Sequence, residues 1–374
     1  MTASALTRPG ERDRLIIKFA EIDWTFCLVL CLIAGTGALI MFSAADLSWT
    51  PWAAEHLLRF AIFFVLMIIL AMCPLTLWFQ VAYPVYIVAL ILLLGVEFFG
   101  DISKGARRWL DLGITRIQPS ELMKIALPLM LAWYFNRNEA TLRLRNYLVA
   151  ALMLAFPAAL ILRQPDLGTA LMISASGGYL IFLAGLPWRV IIVLTVAGLT
   201  SAPFLWSALH DYQRQRILTL IDPSADPLGA GYHTIQSTIA VGSGGTLGKG
   251  WMNGTQTHLD FIPERTTDFI FAVYAEEFGL LGNAVLLVMF LFVIARAMVI
   301  TANAPTLFSR LLAGSITMTF FSYAFVNMGM VSGILPVVGV PLPLISYGGT
   351  SLVSICLGFG ILMSINTHKK LVQT

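Results

Sequence analysis

Charge is scarce in this 374-residue chain: 11% of its residues are Asp, Glu, Lys or Arg. Soluble domains carry about a quarter, so a single water-soluble globule is excluded. The formal net charge of +3 is too small to point to nucleic acid. Only four cysteines occur (Cys27, Cys31, Cys73 and Cys356), all in or at the ends of apolar runs. They offer neither a disulfide framework nor metal-ligand spacing. The five histidines are scattered with no pair at ligand spacing, which argues against a zinc site. Lys249 is followed by Gly250 rather than Ser or Thr, so the glycine-rich run before it is no nucleotide P-loop. No organic cofactor is expected. Repeats and low-complexity linkers are also missing, so residues 1–374 are read as one domain.

Apolar length is abundant. Hydrophobic residues make up 58% of the chain, more than one globule can bury, and lipid must cover the excess. Runs of about 20 apolar residues mark membrane helices. They lie near 23–45, 57–73, 79–99, 119–136, 147–163, 167–186, 188–209, 269–302, 308–333 and 347–365. The predicted fold is therefore an all-α polytopic membrane protein of about ten transmembrane helices. Residues 1–22 form a cytoplasmic tail, and residues 210–268 form one large extracytoplasmic loop between helices 7 and 8. An even number of spans places both termini on one side. The basic tail (Arg8, Arg12, Arg14, Lys18) and the His368-Lys369-Lys370 end favour the cytoplasm for both. Charge counting is nevertheless close to balanced, because Lys104, Arg107, Arg108, Arg116, Arg163, Arg214, Arg216, Lys249 and Arg265 then fall outside. An anionic ligand on the outer face would explain that store of cations.

Several polar stretches carry candidate chemistry. Ahead of the fourth span, Pro119 suits a first helical position, Glu121 falls in the first turn, and Lys124 follows at i+3, within pairing distance. A plain helix-start salt bridge accounts for Glu121 and Lys124 by themselves. With Arg108 and Arg116 beside Lys124, the group becomes a diphosphate receptor. At the sixth span Pro165 is expected to start the helix with Asp166 in its first turn, and capping alone would explain that aspartate. In the large loop, Ile235 to Val241 is expected to form a short interfacial helix. The glycines from Gly242 to Gly250 can approach a phosphate through backbone N–H groups, although such a run is equally a flexible turn.

Asp268 stands where the polar loop re-enters an apolar helix. An acid at a water–lipid boundary is costly without a task; helix capping is the alternative. Counted as helix from that point, Glu276 lies about 80° round the axis and Glu277 almost opposite. A two-carboxylate glycosidase site on this helix is therefore disfavoured, and both glutamates are expected to pair with neighbouring helices. In the last outer loop, Asn327 to Ser351, prolines and glycines interrupt apolar sequence. Irregular backbone at membrane depth must be buried in protein or line a cavity. Asn327, Ser346 and Ser351 are its candidate hydrogen-bonding groups for sugar or phosphate.

From Lys104 to the C-terminus the chain resembles the SEDS family of peptidoglycan polymerases. The residues that carry the resemblance are R-W-L-D-L-G (108–113), Q-P-S-E (118–121), Q-P-D-L-G-T (164–169) and D-Y-Q-R-Q-R (211–216). D-P-L-G-A-G-Y-H (226–233), G-K-G-W (248–251), G-T-Q-T (254–257), F-I-P-E-R-T-T-D-F-I-F-A (261–272) and P-L-P-L-I-S-Y-G-G (341–349) extend it. The resemblance implies a glycosyltransferase of the bacterial cytoplasmic (inner) membrane that polymerises lipid II on its outer face during cell elongation. It also implies work beside a class B penicillin-binding protein, and no nucleic acid partner. The essential aspartate of the family falls on Asp268, its acidic and basic pair on Glu121 and Lys124, and its arginines on Arg108 and Arg116. Asp166, Lys249, Arg265 and Ser346 complete the expected substrate-binding set. A divalent cation (Mg or Mn) is expected to travel with the diphosphate, because no ligand cluster is visible. The competing classes are a lipid II flippase, which also uses intramembrane acids and broken helices, and a non-catalytic scaffold for the penicillin-binding protein.

Overall fold

In lipid a polar backbone must satisfy itself, so each long apolar run becomes a helix. In the computed structural model this gives α1 (Trp24–Ala44), α2 (Ala54–Ala71), α3 (Leu75–Phe99), α4 (Pro119–Arg137), α5 (Leu144–Arg163), α6 (Leu167–Leu183) and α7 (Trp188–Ala208). The polar segment that follows holds α8 (Asp211–Ile221), α9 (Ala230–Ser243) and α10 (Thr255–His258), and the chain finishes with α11 (Ile270–Ala302), α12 (Leu307–Val331) and α13 (Gly349–Thr367). The structure describes residues 18–103, 106–111, 113, 116–209, 211–225, 230–259, 261–262 and 264–368. Arg8, Arg12, Arg14, Lys104, Lys369, Lys370 and the start of the 226–233 motif lie outside the described residues.

The ten segments expected as spans are helices α1–α7 and α11–α13. Among the described residues, seven helices are long and apolar enough to cross a membrane, while α6 and the apolar part of α7 are shorter. Helix α4 is the polar one of the ten, with Glu121, Lys124 and Arg137 in its length. It is also heavily buried, with Met123, Lys124, Leu127, Leu131 and Phe135 enclosed by neighbours. Glu121 and Lys124 therefore face protein rather than lipid, which is how such groups persist at membrane depth, while Arg137 is exposed at the end of the helix.

The loop between α3 and α4 adds a feature that apolar periodicity does not signal. Strands β1 (Asp101–Ser103), β2 (Ala106–Asp111) and β3 (Arg116–Ile117) form a small antiparallel sheet in the order β1-β2-β3. In it Leu110 pairs with Ile117 and Asp111 with Arg116. The segment 210–268, read as a loop, is largely helical, and α9 contains the expected 235–241 helix.

The glycine run meets a broken helix. Helix α11 breaks at Gly279, where φ is 60° and ψ is −159°. The backbone groups freed there are taken up by residues 245–250. Lys249 N donates to Glu276 O at 3.0 Å, Gly250 N to Glu277 O at 3.0 Å, Leu280 N to Gly245 O at 2.9 Å and Leu281 N to Thr246 O at 3.0 Å. Gly244 and Gly248 are required because a Cβ at either would overlap the Ala275 or Glu277 carbonyl. Gly279→Ala would force a side chain into positive φ and against the Gly248 amide. It should cost at least about 1–3 kcal/mol, read as a lowered unfolding temperature in detergent; an unchanged temperature would show that the break is not strained.

Candidate active site

Two ends of the bundle can be distinguished. Asn366 donates to Glu21 O, and Arg296 is paired with Asp23, at the end nearest the termini. At the opposite end the starts of α4, α6, α11 and α13 surround one cavity of about 340 Å³. Helix starts carry partial positive charge and unpaired N–H groups, so their convergence favours an anion before any side chain is counted.

Each start is built differently. Pro119 occupies the first turn of α4, as its missing N–H allows, and Glu121 follows in that turn. Helix α6 begins two residues later than Pro165 suggests. Asp166 is its N-cap, and its side chain accepts from Thr169 N at 3.1 Å. Helix α13 begins at Gly349 with no side-chain cap. Helix α11 begins at Ile270 with Phe269 as its N-cap, so Asp268 precedes the helix rather than opening it.

Asp268, Arg108, Lys124, Glu121 and Asp166 all line this cavity. Asp268 is half-buried and sits against Gly339, where a Cβ would lie 3.4 Å from its Oδ2. Gly339 itself has φ 74°, a left-handed turn that calls for glycine. The Asp268 carbonyl accepts from Asn327 Nδ2 at 2.8 Å, and the same amide donates to Val340 O at 2.7 Å. Arg108 donates to Pro165 O at 2.7 Å and lies 3.6 Å from Asp166. Lys124 pairs with Glu121 at 2.7 Å, and Ser354 donates to the other Glu121 oxygen at 2.9 Å. The guanidinium of Arg108 and the ammonium of Lys124 are thus held over one space together with the Asp268 carboxylate.

Other residues of the expected set lie elsewhere. Arg116 is exposed on the sheet, 3.4 Å from Asp111 and 3.9 Å from Asp101, and does not line the cavity. The amide of Gly113 first, then Arg116, lowers the Asp111 carboxyl below its ordinary value. Lys249 is committed to Glu276 at 2.7 Å and to Thr255 at 2.7 Å. With Gln256 N and Thr257 also on Glu276, this cluster fastens the loop to α11, as the expected pairing of Glu276 requires. Glu277 is held by Ser43. Arg265 bonds Asp46 at 2.7 Å and also Thr257 O. Asp46 is held below the usual carboxylate range first by its hydrogen bond to His258, with Arg265 adding to it. Ser346 accepts from Leu342 N and donates to Thr267 O, both at 2.7 Å. Ser346 and Asn327 therefore shape the 332–348 loop, whereas Ser351, in the first turn of α13, lines the cavity.

The cavity also contains residues that sequence reasoning missed. Glu264 lines it beside Asp268 and accepts from Thr267 Oγ1 at 3.0 Å. Tyr347 lines it too, and its hydroxyl donates to Glu55 at 2.6 Å while Arg59 lies 5.0 Å from its ring. Glu55 and Arg59 belong to α2, where no motif pointed to the site. Tyr323 of α12 forms part of the wall next to Lys124. A glutamate four residues before Asp268 was the signal available for Glu264; a tyrosine inside an apolar helix carries none. Among the described residues no group of three or more His, Cys, Asp or Glu side chains is placed to hold a metal ion.

The fold and cavity define a multi-span membrane protein with a carboxylate and fixed cations at one end of the bundle, arranged around an anion-receiving space. The profile of the family described as "FTSW_RODA_SPOVE: Cell cycle protein" matches residues 21–371, and the chain belongs to that family. It is 49% identical over 354 residues to the peptidoglycan glycosyltransferase MrdB of Escherichia coli K12, covering 94% of this chain and 95% of that protein. Its identity to the protein of the same name from Helicobacter pylori J99 is 36%, covering 94% and 91%. The structure is similar to the crystal structure of the Thermus thermophilus rod shape determining protein RodA, with TM-score 0.70 and 28% identity, covering 93% of this chain and 98% of that one. A chain in a structure described as "Structural coordination of polymerization and crosslinking by a peptidoglycan synthase complex" gives TM-score 0.81 at 34% identity, covering 94% and 99%.

Proposed function

We propose that this chain is a peptidoglycan glycosyltransferase that polymerises lipid II on the outer face of the cytoplasmic membrane during cell elongation. One observation carries the reading: Asp268, Arg108 and Lys124 share a cavity that helix starts make positive. The donor is a glycan chain on polyprenyl diphosphate and the acceptor is lipid II. Asp268 takes the proton of the acceptor 4-hydroxyl as that oxygen bonds to the anomeric carbon of the donor. The bond from that carbon to the diphosphate oxygen breaks, and the configuration inverts. Negative charge grows on the departing diphosphate, where Arg108 and Lys124 receive it; electrostatic help of this kind is often the largest catalytic contribution. Glu121 orients Lys124, and Asp166 orients Arg108. The oxygens of Glu264 and Asp268 suit a hard divalent ion such as Mg or Mn, which enters with the diphosphate because the protein supplies no closed cage.

Lipid II supplied to the purified protein in detergent tests the reading, with glycan strands resolved on a gel. Polymer supports the enzyme. No polymer, with transfer of labelled lipid II between vesicle leaflets, would support a flippase; neither would support a scaffold.

The partner is a class B penicillin-binding protein. Helices α11 and α12 border an apolar groove of about 210 Å³, lined by Leu287, Leu291, Phe321, Phe325 and Met328. It accepts the membrane span of that partner. Phe325→Arg would put a charge in the groove and should reduce co-purification of the partner at least tenfold. Wild-type recovery would place the partner elsewhere.

A further inference from the structure

Tyr323 is nearly enclosed, at 4% exposure, yet it lines the cavity that holds Asp268. Its hydroxyl makes no hydrogen bond of ordinary length and angle among the described residues, and the charged group it interacts with is the Lys124 ammonium. A buried hydroxyl left without a well-formed bond is costly, up to about 1–3 kcal/mol when it has no partner at all, so a further acceptor in the cavity would complete its bonding. The neighbours show what the hydroxyl faces. Lys124 Nζ lies 5.2 Å from the Tyr323 ring centroid. The start of α13 borders the same space through Gly348, Thr350 and Ser351, with no side chain capping it. Its first amides have no acceptor within their own helix. Lys124 and Tyr323 also border a second, apolar pocket deeper in the bundle with Phe320 and Phe359, so together they form the floor between a polar space and an apolar one.

We infer that Tyr323 is a diphosphate-binding residue, whose hydroxyl donates to the phosphate oxygens received by Lys124 and the open start of α13. The inference rests on the glycosyltransferase reading and deepens it by adding a neutral donor to the charged receptor. A neutral donor suits this position. It strengthens as charge builds on the leaving diphosphate and places no further uncompensated cation beside Lys124. The aromatic ring has a separate role, since its face lies toward the Lys124 ammonium, and Tyr323→Phe preserves that face while removing only the hydroxyl.

The test compares wild type with Tyr323→Phe in detergent. Binding of farnesyl diphosphate and farnesyl monophosphate is followed by isothermal titration, with unfolding temperature and lipid II polymerisation recorded alongside. A hydrogen bond to a charged oxygen is worth roughly tenfold or more in affinity. Tyr323→Phe should weaken farnesyl diphosphate binding by about that factor while leaving the monophosphate nearly unaffected. The unfolding temperature should stay level or rise, because the variant loses a buried hydroxyl that makes no well-formed bond within the fold. Equal diphosphate affinity in the two proteins would overturn the inference, as would an equal loss for both ligands. A lowered unfolding temperature would also overturn it, by showing that the hydroxyl serves the fold. If wild-type protein polymerises lipid II yet Tyr323→Phe matches it in every measurement, only this residue is removed from the site. If wild type binds no farnesyl diphosphate and makes no polymer, the glycosyltransferase reading fails as well.

Discussion

Asp268→Asn should abolish most glycan synthesis while leaving the protein inserted and folded. The substitution keeps the size of the side chain, so the approach to Gly339 survives. Two of the bonds that fix this segment do not use the carboxylate: Asn327 holds the carbonyl of residue 268, and Ser346 holds the carbonyl of Thr267. What disappears is the group proposed above to take the proton from a sugar hydroxyl. General bases contribute about 10²–10⁴-fold, and polymerisation from lipid II should fall by at least that range. The unfolding temperature in detergent should remain within a few degrees of wild type. A purified Asp268→Asn protein that polymerises at the wild-type rate would remove Asp268 from the chemistry and leave Glu264, its neighbour in the cavity, as the next carboxylate to test.

The second large effect concerns the buried pair of α4. Lys124 is 8% exposed and Glu121 14% exposed in their side chains, with 2.7 Å between them. Removing one partner leaves a charge enclosed without compensation, which typically costs about 3–5 kcal/mol. Glu121→Ala should therefore lower both the folded yield and polymerisation. Replacing both residues with apolar groups of similar volume is often neutral or stabilising. Glu121→Met with Lys124→Met should recover the unfolding temperature of wild type while polymerisation stays low. That separation is the informative result, because it divides the pair's structural role from its charge at the site. Polymerisation restored together with stability would mean that Lys124 serves only the fold.

The cation-rich loops illustrate how far residue identity carries. Arg116, Lys249 and Arg265 look equivalent to Arg108 and Lys124 in the sequence, since all are basic residues predicted at one membrane face. The fold divides them. Acids that are distant in the chain claim two of them: Glu276 claims Lys249 and Asp46 claims Arg265, the latter across 219 residues. Arg116 is taken by Asp111 and Asp101 within its own sheet. An unpaired charge near lipid must find a partner, but the requirement names no partner. Likewise the run from Gly242 to Gly250 announced close backbone approach correctly. Whether a phosphate or a broken helix would approach depended on Gly279, some thirty residues on.

Chain chemistry by itself determined the helical membrane architecture. It also determined the positions of the helices and marked Asp268, Glu121 and Lys124 as polar residues at helix entries. These follow from local requirements: apolar length, proline at a helix start, and the cost of an acid beside lipid. Tertiary structure alone decided which charges distant in the chain meet. It gathered the starts of α4, α6, α11 and α13 around one space, set Glu264, Tyr347 and Tyr323 into its wall, and sent Lys249 and Arg265 elsewhere. The physical reason is range. A helix is set by bonds between residues four apart, whereas a binding site is set by the packing of segments that the linear order leaves unrelated.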